Sequence, residues 1–174
     1  YPPDEITAGM PLADLETAVA ARVAGVILPK AQRVTDLHAV AWALSQFERG
    51  SGRSVGSTEL MPLIESALGL VDLDALVRAG PPIMRRLALG AGDLSIDLGL
   101  DLTDGETELG AARAALVAVS REFGLEAPID TPWGSISDLD GCARSVARAR
   151  AAGFAGKAII HPSHVAVANE GFTP

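Results

Sequence analysis

Two carboxylates follow short apolar runs near the middle of the chain. Glu65 comes directly after the run at residues 60–64, and Asp93 comes three residues after the run at residues 87–90. A helix-like segment separates the two runs, so the stretch predicts strand, helix and strand in succession. Parallel β/α folds place their chemistry at the carboxyl ends of strands, where we expect both acids to lie. Because Mg²⁺ prefers oxygen ligands, Glu65 and Asp93 are predicted metal ligands.

A structural role is the alternative for each of these two acids. An acid at the end of a strand can cap the helix that follows or pair with an arginine. Two acids on consecutive predicted strands favour a site over two independent caps, because both lie at the same end of a parallel sheet.

Apolar runs alternate with amphipathic segments along the chain, after a polar stretch at residues 1–9 that is predicted to be a loop. The predicted strands are residues 23–28, 58–64, 83–90, 126–130 and 157–161. The predicted helices are residues 12–22, 34–47, 71–79, 106–123 and 137–152, with a helical turn at 93–99 and a last helix from 163. Thr103 and Glu106 predict a capping box before one of these helices. The alternation predicts an α/β fold with a parallel sheet.

The number of strands limits the architecture. A closed (β/α)₈ barrel normally needs about 250 residues, and this chain has 174. The sheet is therefore either open and doubly wound or the C-terminal part of a barrel, in which case residues 1–174 form part of one domain. No Gly-x-Gly-x-x-Gly turn follows a predicted strand, which argues against a dinucleotide-binding fold.

Basic residues mark two of the predicted strands. Lys30 follows the first strand and is the candidate for a Schiff-base lysine or an anion contact. Arg33 is close behind it and is a candidate anion contact at the same pole. Lys157 begins the last strand, so we expect it at the opposite pole.

Three further candidates follow the fourth strand or end the fifth. Asp130 and Trp133 are candidate substrate contacts, although Asp130 is equally suited to a turn. His161 ends the last predicted strand. A zinc site would need further ligands at a regular spacing, which the sequence does not show, so we expect His161 to order the site instead.

The composition of the chain limits which kinds of partner and which cellular compartment we expect. The formal net charge of −8 argues against a nucleic-acid surface. No apolar run reaches the roughly 18 residues of a membrane-spanning helix, so no membrane partner is expected. The single cysteine, Cys142, excludes an internal disulfide and favours a cytoplasmic setting.

Five short motifs then follow one another in a characteristic order. They are residues 25–30 (GVILPK), 63–69 (LIESALG), 89–94 (LGAGDL), 127–130 (APID) and 153–163 (GFAGKAIIHPS). In this order they resemble the HpcH/HpaI aldolase and citrate lyase β-subunit-like family, and the resemblance covers residues 12–174.

The resemblance implies a (β/α)₈ TIM barrel, of which the chain covers about the last five strands, in a homo-oligomer that is a trimer or hexamer. It implies a carbon–carbon lyase for a β-hydroxyacyl-CoA such as citryl-, citramalyl- or malyl-CoA. It also implies Mg²⁺ held by Glu65 and Asp93. The residues that we expect to bind substrate are Lys30, Arg33, Ser66, Gly92, Asp130, Trp133 and His161.

Three motifs of this family do not occur in the 174 residues: an early Pro-Gly segment, an acidic Leu-Glu-Asp motif and an arginine in an Arg-Val-Asn context. We therefore expect the chain to be part of a longer barrel, and no catalytic base is assigned. Three alternatives remain open: a CoA-free aldolase acting on 2-keto acids, a Schiff-base aldolase that uses Lys30, and a non-catalytic subunit that binds acyl-CoA or a partner.

Overall fold

Helices alternate with short parallel strands throughout the residues that the computed structural model describes, 12–173. The predicted loop at residues 1–9 lies outside this range. The strands are β1 (Gly25–Leu28), β2 (Glu59–Ile64), β3 (Ala88–Leu89), β4 (Ile129–Asp130) and β5 (Gly156–Lys157). The helices are α1 (Leu12–Ala20), α2 (Val34–Gly50), α3 (Ala67–Val71), α4 (Leu73–Arg78), α5 (Ala91–Leu98), α6 (Gly110–Glu122), α7 (Leu139–Ala151) and α8 (Val165–Phe172). Short 3₁₀ turns cover Thr107–Leu109 and Pro162–His164.

The chain divides into two compact units, Tyr1–Arg85 and Arg86–Pro174. In the first unit β1 and β2 pair in parallel, with Gly25 opposite Glu59. Parallel neighbours need a crossover connection, which α2 provides. Alternate residues of β2 are buried. The buried core of this unit includes Leu37, Val40, Leu44, Leu60, Ile64 and Leu76.

In the second unit β3, β4 and β5 pair in parallel. Ile129 of β4 lies opposite Ala88 of β3 and opposite Gly156 of β5. The buried core includes Leu87, Leu89, Leu94, Leu109, Leu116 and Val146. Because the three strands run in the same direction, the segments that follow β3 and β4 leave the sheet at the same edge.

The observed strands have the predicted order, but all five are shorter than predicted, the third and the fifth most of all. The third covers only Ala88–Leu89 of the predicted residues 83–90, and the fifth covers Gly156–Lys157 in place of 157–161. A turn accounts for the late start of β3, since the Met84 N–H donates to Pro81 O at 3.0 Å. The helix predicted at residues 71–79 corresponds to α4, and the short helix α3 before it was not predicted.

The capping box predicted for Thr103 and Glu106 is wrong. Glu108 makes those contacts instead: its carboxylate accepts the Thr103 backbone N–H at 2.6 Å and the Thr103 hydroxyl at 3.0 Å. Glu106 adopts a left-handed φ of +49° and is buried. Glu106 and Glu108 are both close enough in the chain to cap this turn. The Glu106 carboxylate is instead buried beside Arg113 and Arg148, so Glu108 makes the contacts with Thr103.

A buried carboxylate fixes the loop that leads into β2. Glu48 is 1% exposed and accepts the backbone N–H groups of Gly56 and Thr58, each at 2.7 Å, and the Ser57 hydroxyl at 3.1 Å. Burial alone would raise the pKa of Glu48, but these hydrogen bonds outweigh it and lower the pKa below its ordinary value.

Replacing Glu48 with Gln is expected to lower the free energy of unfolding at neutral pH by about 2–3 kcal/mol, because an amide replaces a charged acceptor. The folded pKa of Glu48 lies below the unfolded pKa. The stability from the carboxylate is therefore present above the unfolded pKa and lost as the pH falls through the folded pKa. Urea unfolding at several pH values should show the difference between wild type and E48Q shrinking below about pH 4. A difference that does not change with pH would contradict this account.

Candidate active site

Glu65 directly follows β2, as the sequence predicts, and its side chain is buried. Its Oε1 accepts the backbone N–H of Lys30 at 2.7 Å. Lys30 lies two residues beyond the end of β1 and has a left-handed φ of +50°, which is uncommon for a residue with a side chain. The segments after two neighbouring parallel strands thus meet, and one of them orients the Glu65 carboxylate.

Ser66 is the residue that caps α3. Its Oγ accepts the Gly69 N–H at 3.1 Å and donates to Gln32 Oε1 at 3.1 Å. A Cβ at Gly69 would lie 2.6 Å from Ala31 O, so α3 packs on the loop after β1 at a distance that only glycine allows. The capping alternative for Glu65 is therefore excluded, because Ser66 fills that role.

Asp93 lies in the first turn of α5 and is exposed. Gly90, which precedes the helix, provides no side-chain cap, and Asp93 is the third helical residue rather than the cap. An acid in the first turn also interacts favourably with the positive end of the helix. Asp93 thus lies at the start of the helix that follows β3.

Two residues predicted to bind substrate, Gly92 and Trp133, line one pocket of about 300 Å³ in the second unit. Thr131 also lines it, and its Oγ1 accepts the Ala91 N–H at 3.0 Å. Trp133 is 7% exposed and packs with the buried Cys142. Burial raises the pKa of the Cys142 thiol, so the protonated form is favoured.

The structure places Asp130 in a buried ion cluster. The residue is 0% exposed. Its Oδ1 accepts from Arg113 Nε at 3.0 Å, and its Oδ2 accepts from Arg113 Nη2 and Lys157 Nζ, each at 2.8 Å. Both carboxylate oxygens of Asp130 are therefore hydrogen-bonded within the protein, and these bonds hold the end of β4 in place. The placement of Lys157 at the opposite pole is wrong, because Lys157 lies within β5 directly opposite Asp130.

The second acid of this cluster is Glu106, for which the sequence pattern predicts a capping role and not an ion pair. Its carboxylate accepts from Arg113 at 3.2 Å, from Ser145 at 2.8 Å and from Arg148 at 3.0 Å. Burial alone would lower the pKa of Arg113, but the hydrogen bonds and charges of Asp130 and Glu106 raise it. One signal in the sequence could have indicated this cluster. Arg113 is a basic residue at a buried position of the amphipathic helix α6.

Arg33 is exposed immediately before α2, near the buried Asp36. Burial raises the pKa of Asp36, and the charge of Arg33 partly offsets the effect. His161 is exposed and caps the 3₁₀ turn that follows it: its Nδ1 accepts the Ser163 N–H at 3.2 Å. His161 therefore orders its own loop, and its expected role in ordering the site stays a prediction.

Parallel strands that are joined by helices form an α/β protein, and such a protein has its chemistry beyond the carboxyl ends of the strands. The predicted fold class is therefore confirmed. Residues 5–162 match the model of the HpcH/HpaI aldolase/citrate lyase family. The chain belongs to this family, and the resemblance drawn from its motifs is confirmed.

Two relatives in this family are lyases of acyl-CoA compounds. The chain is 32% identical over 178 residues to an L-malyl-CoA/β-methylmalyl-CoA lyase of Cereibacter sphaeroides, covering 92% of this chain and 55% of the relative. It is 31% identical over 182 residues to a mitochondrial citramalyl-CoA lyase of Rattus norvegicus, covering 98% of this chain and 53% of the relative. The chain thus spans about half the length of either lyase.

Solved structures share the fold. RipC from Yersinia pestis is 28% identical with a TM-score of 0.79, over 94% of this chain and 71% of that one. The citrate lyase β subunit from M. tuberculosis, in complex with oxaloacetate and magnesium, is 23% identical with a TM-score of 0.70, over 93% of this chain and 67% of that one. These likenesses confirm the predicted TIM-barrel type of fold, of which the chain covers a part, and its assignment to about the last five strands stays a prediction. Among residues 12–173, no helix is long and apolar enough to cross a membrane.

Proposed function

We propose that this chain supplies the metal-binding part of a carbon–carbon lyase that cleaves or forms a β-hydroxyacyl-CoA of the malyl-CoA or citramalyl-CoA type. The observation that carries the proposal is the buried Glu65 carboxylate, which the Lys30 N–H orients at the end of β2. The acyl-CoA lyases that the chain resembles support the substrate class.

Glu65 and Asp93 are the proposed ligands of Mg²⁺. This ion takes one or two protein carboxylates and completes its coordination with water and substrate oxygens. Within residues 12–173, no group of three or more His, Cys, Asp or Glu side chains is arranged to hold a metal. Glu65 and Asp93 offer carboxylate oxygens, the ligand type of Mg²⁺, rather than the cysteine and histidine ligands typical of a structural zinc site. When bound, Mg²⁺ would orient the substrate oxygens and stabilise the negative charge that develops on them.

Cleavage breaks the bond between the carbinol carbon and the α-carbon of the acyl-CoA. The hydroxyl proton leaves, the carbinol carbon becomes the carbonyl carbon of the second product, and the electron pair stays on the acyl-CoA as an enolate that is then protonated. Glu65 and Asp93 would hold the metal, and Lys30, Arg33, Ser66 and His161 remain proposed contacts to the substrate. Lys30 and Arg33 carry the positive charge that suits the carboxylate or the phosphates of such a substrate.

The pocket beside Gly92 and Trp133 is the proposed site for the acyl part of the substrate. Its volume of about 300 Å³ is at the lower end of the range for ligand sites, roughly 300–1,000 Å³. It therefore suits the reacting portion of an acyl-CoA rather than the whole coenzyme. Asp130 is proposed to act only indirectly, by fixing the end of β4.

A panel of substrates tests the proposed function. Malyl-CoA, citramalyl-CoA and citryl-CoA would each be incubated with the protein and Mg²⁺, beside the corresponding free acids, and release of the acyl-CoA would be measured. We expect cleavage of a CoA thioester that stops when EDTA removes the metal. Cleavage of free acids alone would support the CoA-free aldolase instead. Borohydride trapping of substrate on Lys30 would support the Schiff-base alternative, and acyl-CoA binding without turnover would support a non-catalytic subunit.

Assembly and location are predictions of the same proposal. A homotrimer or homohexamer is expected, and light scattering during size-exclusion chromatography measures the mass. A cytoplasmic location is expected from the single buried thiol of Cys142.

A further inference from the structure

The first turn of α5 is tied to the loop after β4 by one buried hydrogen bond. Ala91 is the first residue of α5, and its N–H donates to Thr131 Oγ1 at 3.0 Å. The first N–H groups of a helix have no partner within the helix. The residue before the helix, Gly90, has no side chain to accept from them. Thr131 therefore supplies, from another loop, an acceptor that the sequence before the helix lacks.

Thr131 is itself held in place. It is 4% exposed and follows Asp130, whose carboxylate is bonded to Arg113 and Lys157. The backbone oxygen of Asp130 also accepts the Ala158 N–H at 2.8 Å. The hydroxyl of Thr131 therefore directly follows a residue that is held by both its side chain and its backbone.

The helix start that Thr131 contacts needs such an anchor. Gly90 and Gly92 flank Ala91, and glycine has more conformational freedom than any other residue. Gly90, the residue that precedes α5, provides no side-chain cap. The bond to Thr131 therefore restrains the first residue of the helical turn that carries Asp93.

We propose that Thr131 is a positioning residue that sets the orientation of Asp93 through the Ala91 N–H. This inference rests on the proposed function, in which Asp93 is a Mg²⁺ ligand. Groups that orient metal ligands contribute to metal affinity although they do not touch the metal, and losing one typically weakens binding by about 10–100-fold.

Two substitutions separate the hydroxyl from the shape of the side chain. Thr131→Val keeps the branched shape and removes the acceptor, whereas Thr131→Ser keeps the acceptor and removes a methyl group. MgCl₂ titration by calorimetry should show about tenfold weaker binding for T131V and nearly unchanged binding for T131S. Amide hydrogen exchange at Ala91 should accelerate in T131V and not in T131S.

Asp93→Asn is the reference variant for this experiment. If D93N loses Mg²⁺ affinity while T131V binds Mg²⁺ like the wild type, the positioning role is overturned and the metal assignment stands. If D93N binds Mg²⁺ like the wild type, the assignment of Asp93 fails, and the role of Thr131 fails with it. Should T131V not fold, Thr131→Ala provides the same loss of the acceptor for comparison with T131S. Equal affinity of T131A and T131S would then overturn the inference.

Discussion

Replacing Lys157 with Met is expected to lower the free energy of unfolding by about 3–5 kcal/mol. The side chains of Lys157 and Asp130 are both 0% exposed and are joined at 2.8 Å. Removing the ammonium group leaves the buried Asp130 carboxylate to share the one guanidinium of Arg113 with Glu106. A buried charge that loses a partner cannot recover its hydration, so the cost is much larger than the net worth of the pair.

An exposed ion pair provides the matched control. Arg78 and Asp74 are joined at 3.0 Å, with side chains 62% and 53% exposed. Arg78→Met removes the same charge from the surface and should change the free energy of unfolding by less than about 1 kcal/mol. Urea unfolding of both variants under the same conditions measures the difference. If K157M costs no more than R78M, the ion cluster does not stabilise the second unit as described.

A double-mutant cycle shows whether the cost belongs to the pair. Asp130→Asn alone should also destabilise, because it leaves the Lys157 ammonium buried without a carboxylate partner of full charge. The double variant D130N/K157M should lose less than the sum of the two single losses, since neither charge is then left alone. Additive losses would mean that each residue acts through other contacts.

The sequence predicts those features of the fold that depend on residues close together in the chain. The apolar runs at β1 and β2 are bounded by turn residues, and the acid after β2 lies where a parallel sheet places chemistry. Five ordered motifs then identify the family. The start of α3 is equally local, since the cap is Ser66, one residue beyond Glu65, and its partner is Gly69.

The ion cluster could not be predicted in the same way. Asp130 pairs with Arg113 and Lys157, which lie 17 and 27 residues away in the chain. Glu106 pairs with Arg148, 42 residues away. Such pairs depend on which helix faces pack over the strands. In the sequence, Asp130 is an ordinary acid at the end of a strand, and the arginines resemble solvated charges on helices. The sequence therefore predicts a substrate contact for Asp130, and its prediction that Lys157 lies at the opposite pole is wrong.

The left-handed backbone conformation of Lys30 could not be predicted from the sequence either. Its side chain suggested an anion contact or a Schiff base, yet the contact that the structure shows is made by its backbone N–H, to Glu65. A backbone donor carries no residue-type signal. It becomes visible only once the parallel pairing of β1 with β2 brings the two strand ends together.

Replacing Glu65 with Gln, or Asp93 with Asn, is expected to reduce the rate of acyl-CoA cleavage by about 10³-fold or more. Each change keeps the size of the side chain and removes the charge that a hard cation requires. Losing one group that stabilises developing oxygen charge typically costs about 10²–10³ in rate, and weakened metal binding adds to that loss. The rate of acyl-CoA release from malyl-CoA or citramalyl-CoA, measured over a range of MgCl₂ concentrations, gives both effects.

Matched acids elsewhere separate loss of the metal from a general loss of negative charge. Asp140 is an exposed acid in the first turn of α7, as Asp93 is in the first turn of α5, and Glu122 is exposed at the end of α6. D140N and E122Q should cleave substrate at the wild-type rate and require the same MgCl₂ concentration. For D93N and E65Q, the MgCl₂ concentration that gives half of the maximal rate should rise, because the remaining ligand holds the ion less tightly. If E65Q keeps the full rate at the same MgCl₂ concentration as the wild type, Glu65 is not a metal ligand, and the carboxylate that the Lys30 N–H orients serves only to join the two strand ends.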